Sequence, residues 1–192
     1  MNAPETHSVF PLSRLGLLRL TGPDVLDFLQ GQVTLDVTKL DASLTPAGYC
    51  DPKGRLLSVF YLTKSGSDVL IVTPRDTIDS LCRRLTLYTL RRHVRIAVDE
   101  SFGVFGVIGT AHFNVAYPCY TQGAVTLALT PTPKSSDADE DLWWEAAAYE
   151  GLPFVFLKTQ GGFLPQSINL DLIGGVTFGK GCYVGQEIVS RI

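Results

Sequence analysis

Charge is scarce in this chain of 192 residues: Asp, Glu, Lys and Arg together make up 18% of it, against about 25% in an average globular domain. The formal net charge is −3, so the molecule as a whole is not built to grip a polyanion, and nucleic-acid contact would have to come from a local patch. No apolar run reaches the ~20 residues that span a bilayer. Residues 1–10 have neither the basic nor the apolar segment of a secretory leader. The four cysteines, Cys50, Cys82, Cys119 and Cys182, form no Cys-x-x-Cys pair, and His7, His93 and His112 have no ligand spacing. Both facts argue against a protein-only zinc or iron–sulfur site. Gly-x-Gly-x-x-Gly, P-loop and Gly-x-Ser-x-Gly patterns are missing as well.

Apolar side chain is what the chain has in plenty, at 45%. That excludes disorder as the general state and allows one substantial domain, or two small ones sharing a core. The expectation is a soluble, cytoplasmic protein with reduced thiols and no membrane contact.

Residues 15–20 (Leu-Gly-Leu-Leu-Arg-Leu) read as a strand, and Thr21-Gly22-Pro23-Asp24 then starts a helix that Gly31 ends. Residues 56–62 and 68–72 pair as a hairpin through residues 64–67. Thr73-Pro74-Arg75-Asp76 opens a helix running to about Leu90, and residues 94–98 follow as a strand. This order describes an α+β domain with a largely antiparallel sheet. Residues 102–108 and 125–129 read as further strands, residues 130–140 as a polar loop and the best candidate for disorder, and residues 142–149 as a helix bearing Trp143 and Trp144. Adjacent helical residues point about 100° apart, so one tryptophan is expected in the core. After it the glycines crowd: Gly161, Gly162, Gly174, Gly175, Gly179, Gly181 and Gly185. Such density implies tight turns and close backbone approaches, which suit a binding site.

Candidate chemistry centres on Lys180-Gly181-Cys182-Tyr183-Val184-Gly185-Gln186-Glu187. Lys180 lies two residues from the thiol and the pattern starts a helix just after it, both ingredients of a lowered thiol pKa. A buried, inert cysteine fits the local pattern equally well. The arginines 83, 84, 91, 92 and 95 could hold phosphates or carboxylates, but the acidic whole favours a solvated face. Asp51, Lys53 and Arg55 surround a glycine turn that is either a ligand loop or a plain hairpin.

Three blocks, in order, carry a resemblance: Phe28-Leu29-Gln30-Gly31-Gln32-Val33-Thr34 with Asp36-Val37; then Asp51-Pro52-Lys53-Gly54-Arg55; then Phe163-Leu164-Pro165-Gln166, Asn169-Leu170-Asp171, Gly174-Gly175-Val176-Thr177-Phe178 and the Lys180 to Glu187 segment. Together they resemble the YgfZ family of folate-binding proteins, which is linked to iron–sulfur cluster maintenance and related to the glycine-cleavage T-protein. The resemblance implies a T-protein-like α+β fold with antiparallel sheets and packed helices, with tetrahydrofolate in a central opening. It implies a first subdomain over residues 1–100 and a shortened second one over 101–192. It makes Cys182 the functional thiol and Lys180, Tyr183, Gln186, Glu187, Gln30 and Arg55 the candidate folate contacts. It names folate and iron–sulfur client enzymes, including transfer-RNA-modifying ones, as partners, with direct RNA contact disfavoured.

There are departures from the pattern. Leu35 stands where the first block commonly has a small or polar residue. Ser58 falls about where an aminomethyltransferase places a catalytic aspartate, which turns the expectation away from the alternative, a folate-dependent aminomethyltransferase or demethylase. Residues 102–142 form a stretch shorter than usual, and the family's C-terminal β-barrel is expected to be absent.

Overall fold

The computed structural model describes residues 8–109, 117–131 and 138–191. Its layering follows from alternation along three central strands. In β1 (Ser8–Pro11) and β2 (Leu15–Thr21) the chain builds one edge and one centre, and α1 (Val25–Gln30) follows. Leu15 and Leu17 of β2 enter one core, while Leu18 and Leu20 enter the other. Beyond β3 (Thr45–Cys50), the hairpin β4 (Leu56–Ser65) and β5 (Asp68–Pro74) repeats the split. Val59, Tyr61, Leu70 and Val72 face one side; Phe60, Leu62, Val69 and Ile71 face the other. Strands apolar on both faces must be covered on both.

The cover on one side is α1 and α2 (Ile78–Leu87), whose Val25, Phe28, Leu29, Ile78, Leu81 and Leu85 are buried there. The cover on the other is a second sheet. After β6 (Arg95–Asp99), the strands β7 (Gly103–Ile108), β8 (Cys119–Gln122) and β9 (Val125–Thr130) lead to α3 (Glu140–Tyr149). The two sheets are antiparallel, ordered β3-β4-β5-β2-β6 and β1-β7-β9-β8. One core joins the facing residues of both with Trp143 and Ala147 of α3. The architecture is α+β with antiparallel sheets and, among the described residues, four α-helices, the last being α4 (Gln186–Val189). β1 belongs to the second sheet although it comes from the start of the chain.

Trp143 is the core member of its pair, fully buried with its Nε1 donating to the Thr126 carbonyl at 3.3 Å. Trp144 is half-buried, edge-on to Phe154 and Phe156 and beneath the Arg14 guanidinium. No helix among the described residues is long and apolar enough to cross a membrane.

Two readings need correction. The helix expected to reach Leu90 stops at Leu87 and begins with a 3-10 turn over Arg75–Thr77. Thr86 and Thr89 return their hydroxyls to the Cys82 and Thr86 carbonyls at 2.7 and 2.8 Å, competing with further helix; Arg91 then turns left-handed at φ 67°. Strands β1, β3 and β8 were not expected. β3 was hidden by Pro46 and Gly48, yet as an edge strand it tolerates proline. Gly48 lets neighbours pack closely there, since a Cβ would lie 2.9 Å from a Leu56 methyl and 3.1 Å from methyls of Leu170 and Thr34. Most of the polar loop expected over residues 130–140 lies outside the described residues.

Candidate functional site in residues 180–187

Residues 150–185 contain no strand, and they stay in place because other segments supply their hydrogen bonds. Leu56 N–H donates to the Phe163 carbonyl and Gly161 N–H to the Leu56 carbonyl, both at 2.8 Å. The Thr34 hydroxyl accepts from Gly48 N–H at 2.7 Å and donates to the Gly175 carbonyl. Thr177 closes the same seam: its N–H donates to the Thr34 carbonyl at 2.9 Å and its hydroxyl accepts from Asp36 N–H at 3.1 Å. Thr34 is fully buried, so its hydroxyl satisfies two backbone groups that water cannot reach.

Lys180 is the strongest anchor. Its Nζ donates to the carbonyls of Gln30, Val33 and Leu35 at 2.7, 2.6 and 2.7 Å. An ammonium has three protons, so all of its donors are used on the end of α1 and the loop that follows. Burial pushes this lysine down to about 8, with Asp36 pulling it back. Nζ also lies 5.1 Å from the ring centroid of Tyr183, whose hydroxyl burial raises to about 12. The Gln30 side chain is likewise committed, donating to Asp36 at 3.1 Å and accepting from Val37 N–H at 2.9 Å. Lys180, Tyr183 and Gln30 therefore shape the loop.

A second junction joins the Asp51 to Arg55 turn to the same segment. Asp51 Oδ1 accepts from the N–H groups of Lys53 and Arg55 at 2.8 and 2.9 Å, which tightens the turn around Gly54 at φ 73°. Gly185, at φ 86°, packs directly on it: a Cβ there would lie 2.5 Å from the Asp51 carbonyl oxygen and 2.8 Å from the Gly54 Cα. Two glycines with left-handed backbone thus meet face to face, a contact no larger residue permits.

These two junctions present the rest of the segment outward. Cys182 and Glu187 are exposed and Gln186 is half-buried, its amide donating to the Lys180 carbonyl at 3.4 Å. Among the described residues no group bonds the Glu187 carboxylate. Arg55 rests on the Gly161 and Gly162 carbonyls at 3.4 Å each. Burial pushes the Cys50 thiol up to about 12 and raises those of Cys82 and Cys119. All four are free.

Ser58 does not face this surface. It is fully buried beneath α2, 2.8 Å from the Thr73 hydroxyl. No cluster of His, Cys, Asp and Glu suited to a metal occurs among the described residues. Hollows of about 300 and 430 Å³ lie near Arg75, one between β2 and β7 and one beside Phe156, and neither is lined by residues 180–187. Sequence reasoning missed Thr34 and Thr177 as parts of the frame, and it placed Asp51 at the glycine turn without its bonds to the Lys53 and Arg55 N–H groups. Thr34 alone left a signal, as a hydroxyl inside an otherwise apolar stretch.

The architecture is that of an α+β protein whose three separated motifs close on one glycine-rich segment. No protein-family model matches the chain. It is similar to the tRNA-modifying protein YgfZ of Colwellia psychrerythraea, 28% identical over 98% of this chain and 68% of that protein. It is similar to the YgfZ of Vibrio vulnificus at 32% identity over 94% of this chain and 64% of that one. An uncharacterized Haemophilus influenzae protein matches at 32% over 94% and 66%. Among solved structures, the glycine cleavage system aminomethyltransferase T of Bartonella henselae aligns with 53% of this chain and 28% of its own, at 14% identity and a TM-score of 0.48. The chain is a relative of the YgfZ proteins, and it spans about two thirds of the length of the curated relatives it matches.

Proposed function

We propose that this chain serves a YgfZ-type role in transfer-RNA modification, holding a reduced folate beside Cys182 in support of iron–sulfur enzymes in the cytoplasm. The observation that carries the reading is the double clamp, Lys180 on the loop after α1 and Gly185 on Gly54. It spends buried polar groups and forbidden glycine geometry on holding an exposed thiol in one place, which a merely structural tail does not need.

The surrounding donors suit tetrahydrofolate, which when bound would supply a one-carbon carrier ring. Glu187 offers a carboxylate, unbonded among the described residues, for the amino and amide N–H edge of a pterin. Arg55 offers a guanidinium for the carboxylates of the glutamate tail. They flank the Gly54–Gly185 contact in sequence. Phe163, 39% exposed, adds an apolar surface next to the carbonyls on which Arg55 rests. Lys180, Tyr183 and Gln30 act as positioning residues. The aminomethyltransferase alternative gains nothing from Ser58, whose hydroxyl is held inside. The transfer-RNA-modification role is supported by the name of the relatives, and the iron–sulfur role by the motif resemblance.

A strain deleted for its own YgfZ tests this. The chain should restore the modified nucleosides of bulk transfer RNA, measured by mass spectrometry, and Cys182→Ser at equal abundance should not. Failure of the unaltered chain removes the YgfZ-type reading, and full restoration by Cys182→Ser removes the thiol from it.

A further inference from the structure

β6 is the last strand of the five-stranded sheet, bonded to β2 on one side only. Among the described residues no backbone hydrogen bond reaches its other edge. Such an edge invites another strand unless it is blocked. Among the described residues no proline, bulge or further strand covers it, and Ala97 and Val98 are exposed.

Its sequence, Arg95-Ile96-Ala97-Val98-Asp99, is its own antiparallel complement. Turned about a two-fold axis at Ala97, Arg95 falls opposite Asp99 of the other strand, and Ile96 opposite Val98. The two faces then match separately, because neighbouring residues alternate. On one face, Asp99 accepts from Arg19 Nε at 2.6 Å while Asp68 accepts from Arg19 Nη1 at 3.0 Å. Two carboxylates share one guanidinium, which leaves a net negative charge. Arg95 is exposed and has no carboxylate partner among the described residues. On the other face, Val98 is 49% exposed beside Leu87, 72% exposed, across a hollow of about 600 Å³ between α2 and β6.

We propose that this edge is a self-association surface, on which a second copy of the chain pairs β6 with β6 antiparallel about Ala97. Arg95 of each copy completes the charge of the other's Arg19, Asp68 and Asp99 group. An acidic or basic peptide fits less well, since the strand carries opposite charges at its two ends. A five-residue pairing is smaller than a standard interface of about 1,200–2,000 Å², so the dimer is reversible and concentration-dependent.

Sedimentation velocity of the chain from about 1 to about 100 µM reads this directly. The average mass should climb toward a dimer, and Val98→Lys and Arg95→Glu, both at exposed positions, should each weaken association about tenfold. As an independent reading, Ala97→Cys in a Cys182→Ser background should form a disulfide-linked dimer in air, because directly opposed residues sit about 4.5–5.5 Å apart. Lys64→Cys in the same background should not. A monomer at every concentration overturns the proposal. So does a dimer that ignores both substitutions or leaves Ala97→Cys uncrosslinked.

Discussion

Replacing Lys180 by methionine keeps the apolar stem and removes the ammonium. Three carbonyls, those of Gln30, Val33 and Leu35, then lose a donor at 2.6–2.7 Å. A buried polar group left without a partner costs about 1–3 kcal/mol. Three at the low end give about 3 kcal/mol, since Lys180 is 9% exposed, water can reach part of the gap, and the cost of burying the charge is relieved. Against a total stability of about 5–15 kcal/mol that is a large share. Urea unfolding should show it, and hydrogen exchange should speed up in residues 31–37. The pH dependence follows from the same contact. The folded lysine is lowered from 10.5 to about 8, so between those values the unfolded chain binds the proton more tightly. Its contribution to stability is level below pH 8 and rises as pH climbs from about 8 toward 10.5. The gap between the chain and its Lys180→Met variant should therefore widen over that window. A loss under about 1 kcal/mol, with exchange unchanged, would refute the clamp.

Gly185→Ala should cost about 2 kcal/mol or more, because φ is 86° and the added Cβ meets the Asp51 carbonyl at 2.5 Å; thermal unfolding checks it, and a shift of less than a degree would count against the packing. Thr34→Val keeps the shape and strands the Gly48 N–H and Gly175 carbonyl, for a loss of about 2–3 kcal/mol in urea unfolding. Alkylation of the native chain followed by mass mapping should label Cys182 well before Cys50, Cys82 and Cys119. Equal labelling of Cys50, which burial holds at about 12, would contradict its place in the core.

The central strands were legible because each is apolar on both faces and bounded by turn residues, as in the hairpin through Ser65 to Ser67. β3 was not, since Pro46 and Gly48 signal a turn locally and only the edge position and the approach of Leu170 explain them. The glycine-rich end was readable as close backbone approach, but not what it approaches: Gly185 meets Gly54 across some 130 residues of chain. Lys180 shows the limit most clearly. Proximity in sequence makes it a charge beside Cys182, whereas its three protons go to carbonyls about 150 residues away. Carbonyls of an irregular loop leave no pattern in side chains, so that role has no sequence signal.

Calorimetric titration of the chain with tetrahydrofolate tests the central claim most directly. One saturable site is predicted, weakened about tenfold or more by Arg55→Ala and by Glu187→Ala, and unchanged by Lys64→Ala on the far hairpin. No binding by the folded chain, or binding that neither substitution weakens, would contradict a folate site beside Cys182.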